Sequence, residues 1–180
     1  VEPQIVSTIV DKNGTVLYQS VPKAQDVLSK ESAYVTVNLM EGVTQYGSGV
    51  RLRTGASNDY MYKNVITGHP YAFKNPIAGK TGTTQNQSDG WFMGMVPNLV
   101  TGVWVGGDNR SVHFPGIRYG QGATMALPIW AMYMKKCYED EDLKISQEDF
   151  ERPDDLSIRI DCSIPAEGSG HTEVPDELDF

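Results

Sequence analysis

The stretch Ala78-Gly79-Lys80-Thr81-Gly82-Thr83-Thr84 constrains this chain more than any other part of it. A cation, two hydroxyls and a glycine stand at alternating positions of what reads as an extended segment. Side chains alternate faces along a strand. Lys80 and Gly82 therefore share one face, and Thr81 and Thr83 the other. Gly82 leaves the backbone bare, so another chain can approach closely and the N–H of Thr83 becomes reachable. Such a strand can hold a carboxylate and an oxyanion beside an extended peptide.

The triplet Lys80-Thr81-Gly82 by itself says little, since it arises by chance in about one chain in fifty of this length. Gly79-Lys80-Thr81 also matches the tail of a phosphate-binding loop. That loop needs a glycine where Lys74 stands, would contain Pro76, and should run into a helix. The residues that follow, Gln85-Asn86-Gln87-Ser88-Asp89-Gly90, are turn formers instead, so the phosphate loop is rejected. Without further context the strand would be an edge strand with a solvated lysine.

The context is extensive. After the motif come Ser88-Asp89-Gly90-Trp91-Phe92-Met93-Gly94, then Thr101-Gly102-Val103-Trp104-Val105-Gly106-Gly107-Asp108, then Ala126-Leu127-Pro128-Ile129-Trp130. From residue 1 to about 137 the chain resembles the transpeptidase domain of class A (bifunctional) penicillin-binding proteins. Lys-Thr-Gly is one of three signatures of that superfamily, beside Ser-x-x-Lys and a Ser-Asp-Asn type triplet.

The other two signatures are not found in working form. Ser20-Val21-Pro22-Lys23 matches Ser-x-x-Lys literally. The nucleophile and its lysine must lie one helical turn apart, however, and this match follows a predicted strand and contains a proline. Ser57-Asn58-Asp59 has the letters of the third signature in the wrong order, and Tyr62-Lys63-Asn64 lies too near the motif strand to face it across a cleft. The chain therefore reads as the second half of a transpeptidase active site, with the first half upstream of Val1, and is predicted to be inactive alone.

The resemblance implies an α+β fold, an antiparallel sheet with packed helices forming part of a beta-lactamase/transpeptidase-like (DD-peptidase) architecture. It implies D,D-transpeptidation of peptidoglycan stem peptides ending in D-Ala-D-Ala through an acyl-serine, with beta-lactams trapping the same serine. By position, Lys80 would supply positive potential. The Thr81 and Thr83 hydroxyls would bind the terminal carboxylate beside Gly82, and the Thr83 N–H would be an oxyanion donor. No metal and no other cofactor are expected. The intact protein would sit outside the cytoplasm, in the periplasm, anchored to the inner membrane by a segment absent here, and would carry a glycosyltransferase. Within the superfamily a carboxypeptidase or beta-lactamase is the first alternative. A non-catalytic peptide- or glycan-binding module using the strand as a docking edge is the second.

The rest of the 180 residues fits one domain, residues 1–138, followed by an extension, 139–180. Residues 139–180 hold 15 acidic side chains against 3 basic ones, and residues 1–138 hold 8 against 12, giving the net charge of −8. That balance argues against nucleic acid, which requires a basic stripe. The tail from Ala166 to Phe180 is predicted to be disordered. Cys137 and Cys162 allow one disulfide or two free thiols.

In chain order, Ile5–Val10 and Thr15–Tyr18 flank Asn13-Gly14 and predict a β-hairpin. Ser29 predicts a helix start, with Ala33, Val37, Met40 and Val43 on a buried face and Gly47 and Gly49 ending it. Residues 50–75 read as a connection. Ile77–Thr84, Trp91–Val96 and Val100–Gly106 predict three strands, with the last two joined by a tight turn at Pro97-Asn98-Leu99. Gly94, Gly102 and Gly106 are expected to give helices room on the sheet, and Trp91, Met93, Met95 and Trp104 to lie in the core. Residues 108–121 read as loop, with His113 an unlinked histidine. Ala123–Tyr138 predicts an amphipathic helix burying Ala126, Ile129, Trp130, Tyr133 and Cys137, with Pro128 in its first turn. Removal of the upstream half would leave a sheet edge and apolar side chains exposed, so the chain is expected to self-associate.

Overall fold

The computed structural model describes residues 4–23, 25–53 and 66–160. The Ser57-Asn58-Asp59 and Tyr62-Lys63-Asn64 triplets, Cys162 and the predicted disordered tail lie outside these residues.

The N-terminal hairpin pairs β1 (Thr8–Val10) with β2 (Val16–Gln19), antiparallel and exposed along both strands. Asp11 closes its loop. The Asp11 carboxylate accepts from the N–H groups of Asn13 and Thr15, both at 2.8 Å. Gly14 alone of the loop takes a positive φ, 86°. The Asn-Gly pair thus works through its glycine, ending a loop longer than the two-residue turn it most often makes.

Helix α1 (Lys30–Gln45) begins at Ser29, whose hydroxyl accepts the N–H of Ser32. The expected apolar face is covered only in part. Ala33 is exposed, Val37, Met40 and Val43 are half-buried, and Thr44 is the fully buried residue of the helix. The Thr44 hydroxyl donates to the carbonyl of Ile77 at 2.6 Å and accepts from Arg53 Nη2 at 2.7 Å. Arg53 Nη1 reaches the Asn75 carbonyl. A buried polar side chain with every group satisfied thus ties the end of α1 to the entry of the motif strand.

The central sheet has the order β3-β4-β5, all antiparallel: β3 (Ala78–Thr83), β4 (Asp89–Val96) and β5 (Leu99–Gly106). Val96 pairs with Leu99 across a turn of Pro97 and Asn98. The inner face carries Gly79, Thr81, Phe92, Gly94 and Val96. The outer carries Lys80, Gly82, Trp91, Met93, Gly102 and Trp104.

The inner face meets α3 (Gly122–Met125) and α4 (Leu127–Glu139), with α2 (Ile117–Gly120) packed against α3. The one-turn α2 lies in the stretch read as loop. Trp130 of α4 is fully buried, edge-on to Phe92 at 5.2 Å and to Phe73 at 6.3 Å. Gly94 makes this possible, because a Cβ there would stand 2.5 Å from the Trp130 ring. Gly102 and Gly106 face no helix among the described residues. Their space is filled by the Met93 sulfur and by the Trp104 ring with the Asp89 carboxylate. Trp91, Met93 and Trp104 correspondingly lie on the outer face and stay 42, 39 and 46 % exposed, contrary to the core position expected for them.

The predicted C-terminal helix is broken at Ala126, with Pro128 in the first turn of α4. Its buried stripe is Leu127, Trp130, Ala131, Met134 and Cys137, while Ile129 and Tyr133 are exposed. Ala126, Trp130 and Cys137 are buried as expected, and the buried stripe that begins at Ala123 and Ala126 keeps one helical phase through the break.

Beyond α4 the acidic extension is tied back to the body. The Asn98 side chain donates to the Lys144 carbonyl and accepts the N–H of Ser146, each at 2.8 Å. Glu31 in the first turn of α1 accepts from the Ser157 N–H, the Ser157 hydroxyl and the Ile158 N–H. These bonds, led by that from the Ser157 hydroxyl, hold the Glu31 carboxyl below its ordinary pKa.

Candidate active site

The motif strand is the terminal strand of its sheet among the described residues, with β4 on one side and no strand on the other, and α1 packs against it. In an antiparallel ladder, directly opposed pairs alternate between those that exchange backbone bonds and those that do not. The N–H of Thr84 donates to the carbonyl of Asp89 at 3.1 Å. The next pair, Thr83 with Gly90, is then a non-bonded one, and so is Thr81 with Phe92. The N–H groups of Thr81 and Thr83 accordingly point away from β4, toward the side that has no strand.

The expected division of side chains holds, with Lys80 and Gly82 on the outer face and Thr81 and Thr83 on the inner. Lys80 is exposed, and its Nζ donates to the carbonyl of Thr81 at 2.9 Å. The two hydroxyls are each held by a group from elsewhere in the chain. Ser48 Oγ, just past α1, lies 2.7 Å from Thr81 Oγ1. The N–H of Gly122, first residue of α3, donates to Thr83 Oγ1 at 3.0 Å. That bond occupies a lone pair of Thr83 Oγ1 and leaves its proton to be donated outward.

Two further residues frame the site. Arg51, buried at 8 % exposure, donates to the Ala123 carbonyl and to Thr124 Oγ1, both at 2.9 Å, and so anchors α3 over the sheet. Asp89 stands where the β3–β4 connection returns. Its Oδ2 accepts the Thr84 hydroxyl at 2.9 Å, its Oδ1 accepts Trp104 Nε1–H at 3.1 Å, and its N–H donates to Thr84 Oγ1 at 3.0 Å. Arg110 Nη1 lies 3.7 Å from Oδ2. The Thr84 hydroxyl foremost, then Trp104, Arg110 and Ser88, keep the Asp89 carboxyl below the usual carboxylate range.

Ser48, Arg51, Asp89 and Gly122 escaped the sequence reading. Only Asp89 had a local signal, because writing the hairpin register places it opposite Thr84. Ser20, the literal nucleophile match, follows β2, with Val21, Pro22 and Lys23 outside any helix, and its hydroxyl bonds Gln4. His113 is exposed, one ring nitrogen 2.9 Å from the Phe114 carbonyl. Among the described residues no cluster of histidine, cysteine and carboxylate side chains has the geometry to hold a metal.

The lysine–threonine–glycine strand with its two held hydroxyls stands at one end of the sheet, and comparison with known proteins shows the family to which it belongs. The profile of the penicillin-binding protein transpeptidase domain matches residues 1–111. The chain belongs to this family, and its relatives are class A penicillin-binding proteins. It is 34 % identical over 151 residues to penicillin-binding protein 1A of Aquifex aeolicus, covering 82 % of this chain and 18 % of that protein. It is 37 % identical over 120 residues to penicillin-binding protein 1B of Escherichia coli K12, covering 67 % of this chain and 12 % of the relative. The crystal structure of penicillin-binding protein 1A from Haemophilus influenzae superposes with a TM-score of 0.58 at 24 % identity, over 85 % of this chain and 25 % of that one, and establishes the fold. The chain thus spans less than a fifth of the length of these two curated relatives.

Proposed function

We propose that this chain forms one wall of the acylation cleft of a peptidoglycan D,D-transpeptidase, with the nucleophilic serine on a wall upstream of Val1. Residues 1–138 are then the C-terminal half of the transpeptidase domain, and 139–180 an extension. One observation carries the reading. Both motif hydroxyls are held from outside the motif, while the alternation of the ladder turns the Thr83 N–H toward the strand edge opposite β4.

In the intact protein the serine Oγ bonds to the penultimate D-alanyl carbonyl carbon, passing its proton to a base of the upstream wall. The C–N bond breaks, and D-alanine leaves with a proton on its nitrogen. An amine of a neighbouring strand then attacks the acyl-serine, forms the cross-link and returns the serine. A beta-lactam enters by the same first step, but its ring nitrogen stays tethered. Thr81 and Thr83 donate to the terminal carboxylate, Lys80 supplies positive potential, and the Thr83 N–H donates to the oxyanion. Losing one such donor costs about 3 kcal/mol of transition-state stabilisation. The chemistry acts on the periplasmic side, in a protein held at the inner membrane by a segment outside this chain. Among the described residues no helix is long and apolar enough to cross a membrane.

Fluorescent penicillin tests the reading directly. The intact protein is expected to become covalently labelled and the 180-residue chain alone to stay unlabelled, for want of a nucleophile. Labelling in neither form would favour a binding module. Labelling of the short chain would place the serine within it and overturn the proposal.

A second expectation concerns the short chain as an object. Val100 on β5 is 63 % exposed beside the half-exposed Trp91, Met93 and Trp104, and the far edge of β5 is unpaired among the described residues. Such a surface associates. Light scattering on the isolated chain is expected to report assemblies that grow with concentration, and a monomer throughout would refute this.

A further inference from the structure

The proposed chemistry places the reacting oxygen against the backbone of Thr83, yet Thr83 is the last residue of β3. Beyond it the chain enters a connection in which Asn86 and Gln87 both adopt left-handed conformations, φ 56° and 55°. Asparagine tolerates that conformation, but glutamine takes it rarely. A strand end followed by such a loop frays unless something closes it.

Asp89 closes it. The Thr84–Asp89 pair exchanges three bonds: Thr84 N–H to the Asp89 carbonyl, the Asp89 N–H to Thr84 Oγ1, and the Thr84 hydroxyl to the Asp89 carboxylate. The other carboxylate oxygen is fixed by Trp104 on β5. Three consecutive parts of the sheet therefore meet on one carboxylate one residue away from Thr83. From this geometry we infer that Asp89, acting through Thr84, is the positioning residue that aims the Thr83 N–H at the oxyanion. The inference rests on the transpeptidase reading and assigns a role that the motif itself does not contain.

A brace of this kind has a kinetic signature different from that of a carboxylate-binding hydroxyl. Binding of the beta-lactam carboxylate occurs before the oxyanion exists, so misdirecting the Thr83 N–H slows acylation while leaving the first, reversible step alone. Displacements near 1 Å at a reacting centre cost about 100-fold in rate.

The experiment is the concentration dependence of fluorescent penicillin labelling in the intact protein, which separates the reversible binding constant from the acylation rate constant. Asp89→Ala is expected to lower the acylation rate constant about 100-fold with the binding constant unchanged. Thr84→Val, which keeps the side-chain shape but removes the hydroxyl, is expected to do the same, and Thr84→Ser to restore the wild-type rate. The double variant Asp89→Ala/Thr84→Val is expected to be no slower than either single one, since both break one unit. If Asp89→Ala does not fold, as thermal unfolding of the same sample will reveal, the Thr84 pair carries the test alone. Wild-type acylation in Thr84→Val, losses that multiply in the double variant, or a change confined to the binding constant would each overturn the inference. A wild-type protein that takes no label at all would instead remove the transpeptidase reading beneath it.

Discussion

Replacing Lys80 by alanine in the intact protein is expected to abolish detectable beta-lactam acylation while the protein remains folded. The side chain is exposed, and its Nζ donates to the carbonyl of its own neighbour, Thr81. Surface substitutions of this kind change stability by less than about 0.5 kcal/mol. The transition state is another matter, because negative charge develops on the carbonyl oxygen beside a substrate that already bears a carboxylate. A unit charge about 4 Å away at an effective dielectric near 20 is worth about 4 kcal/mol. That is about a thousandfold in rate. Lys80→Arg keeps the charge but replaces a compact ammonium by a planar fork, and is expected to fall between the two. Labelling with fluorescent penicillin, read beside a thermal unfolding curve, checks both halves of the expectation. Unchanged labelling in Lys80→Ala would take the lysine out of the mechanism, and loss of the folded state would make it a structural residue.

Much of the fold was legible because it is built from local rules. The Asn13-Gly14 hairpin, the Ser29 helix start and the three strands after Ile77 each follow from a few adjacent residues, and the structure has all of them. The alternation of Lys80 and Gly82 against Thr81 and Thr83 survives unchanged, since a strand has only two faces. What failed was the assignment of faces to the core. Trp91, Met93 and Trp104 are large and apolar, and size alone suggested burial, but they share the sheet face that carries Lys80. On α4 the buried Ala126, Trp130 and Cys137 were legible, but Ile129 and Tyr133 were chosen over Ala131 and Met134, because large apolar residues stand on both sides of that stripe. The bracing groups were the least legible. Ser48 and Gly122 lie 33 and 39 residues from the hydroxyls they hold, and only tertiary structure brings them together.

Gly122 bears the second large expectation. A Cβ at this position would stand 2.3 Å from the carbonyl oxygen of Gly82 and 2.4 Å from that of Trp91. Both are backbone atoms of paired strands, so no rotamer change relieves the overlap. Nor can α3 simply retreat, because Arg51 holds it through the Ala123 carbonyl and Thr124 Oγ1. Overpacking of this kind costs about 1–3 kcal/mol and sometimes more. Any lift of α3 also withdraws the Gly122 N–H from Thr83 Oγ1, which frees the hydroxyl to turn from the carboxylate it is proposed to bind. Gly122→Ala in the intact protein is therefore expected to lower the denaturation midpoint and to weaken reversible beta-lactam binding together. Gly116→Ala supplies the control. Nothing lies within 4 Å of a Cβ there and its φ of −167° suits any residue, so alanine is expected to be neutral or stabilising by less than about 1 kcal/mol. A Gly122→Ala protein with wild-type stability would mean that α3 shifts freely on the sheet. Wild-type binding despite a lowered midpoint would mean that Thr83 does not depend on Gly122 for its orientation.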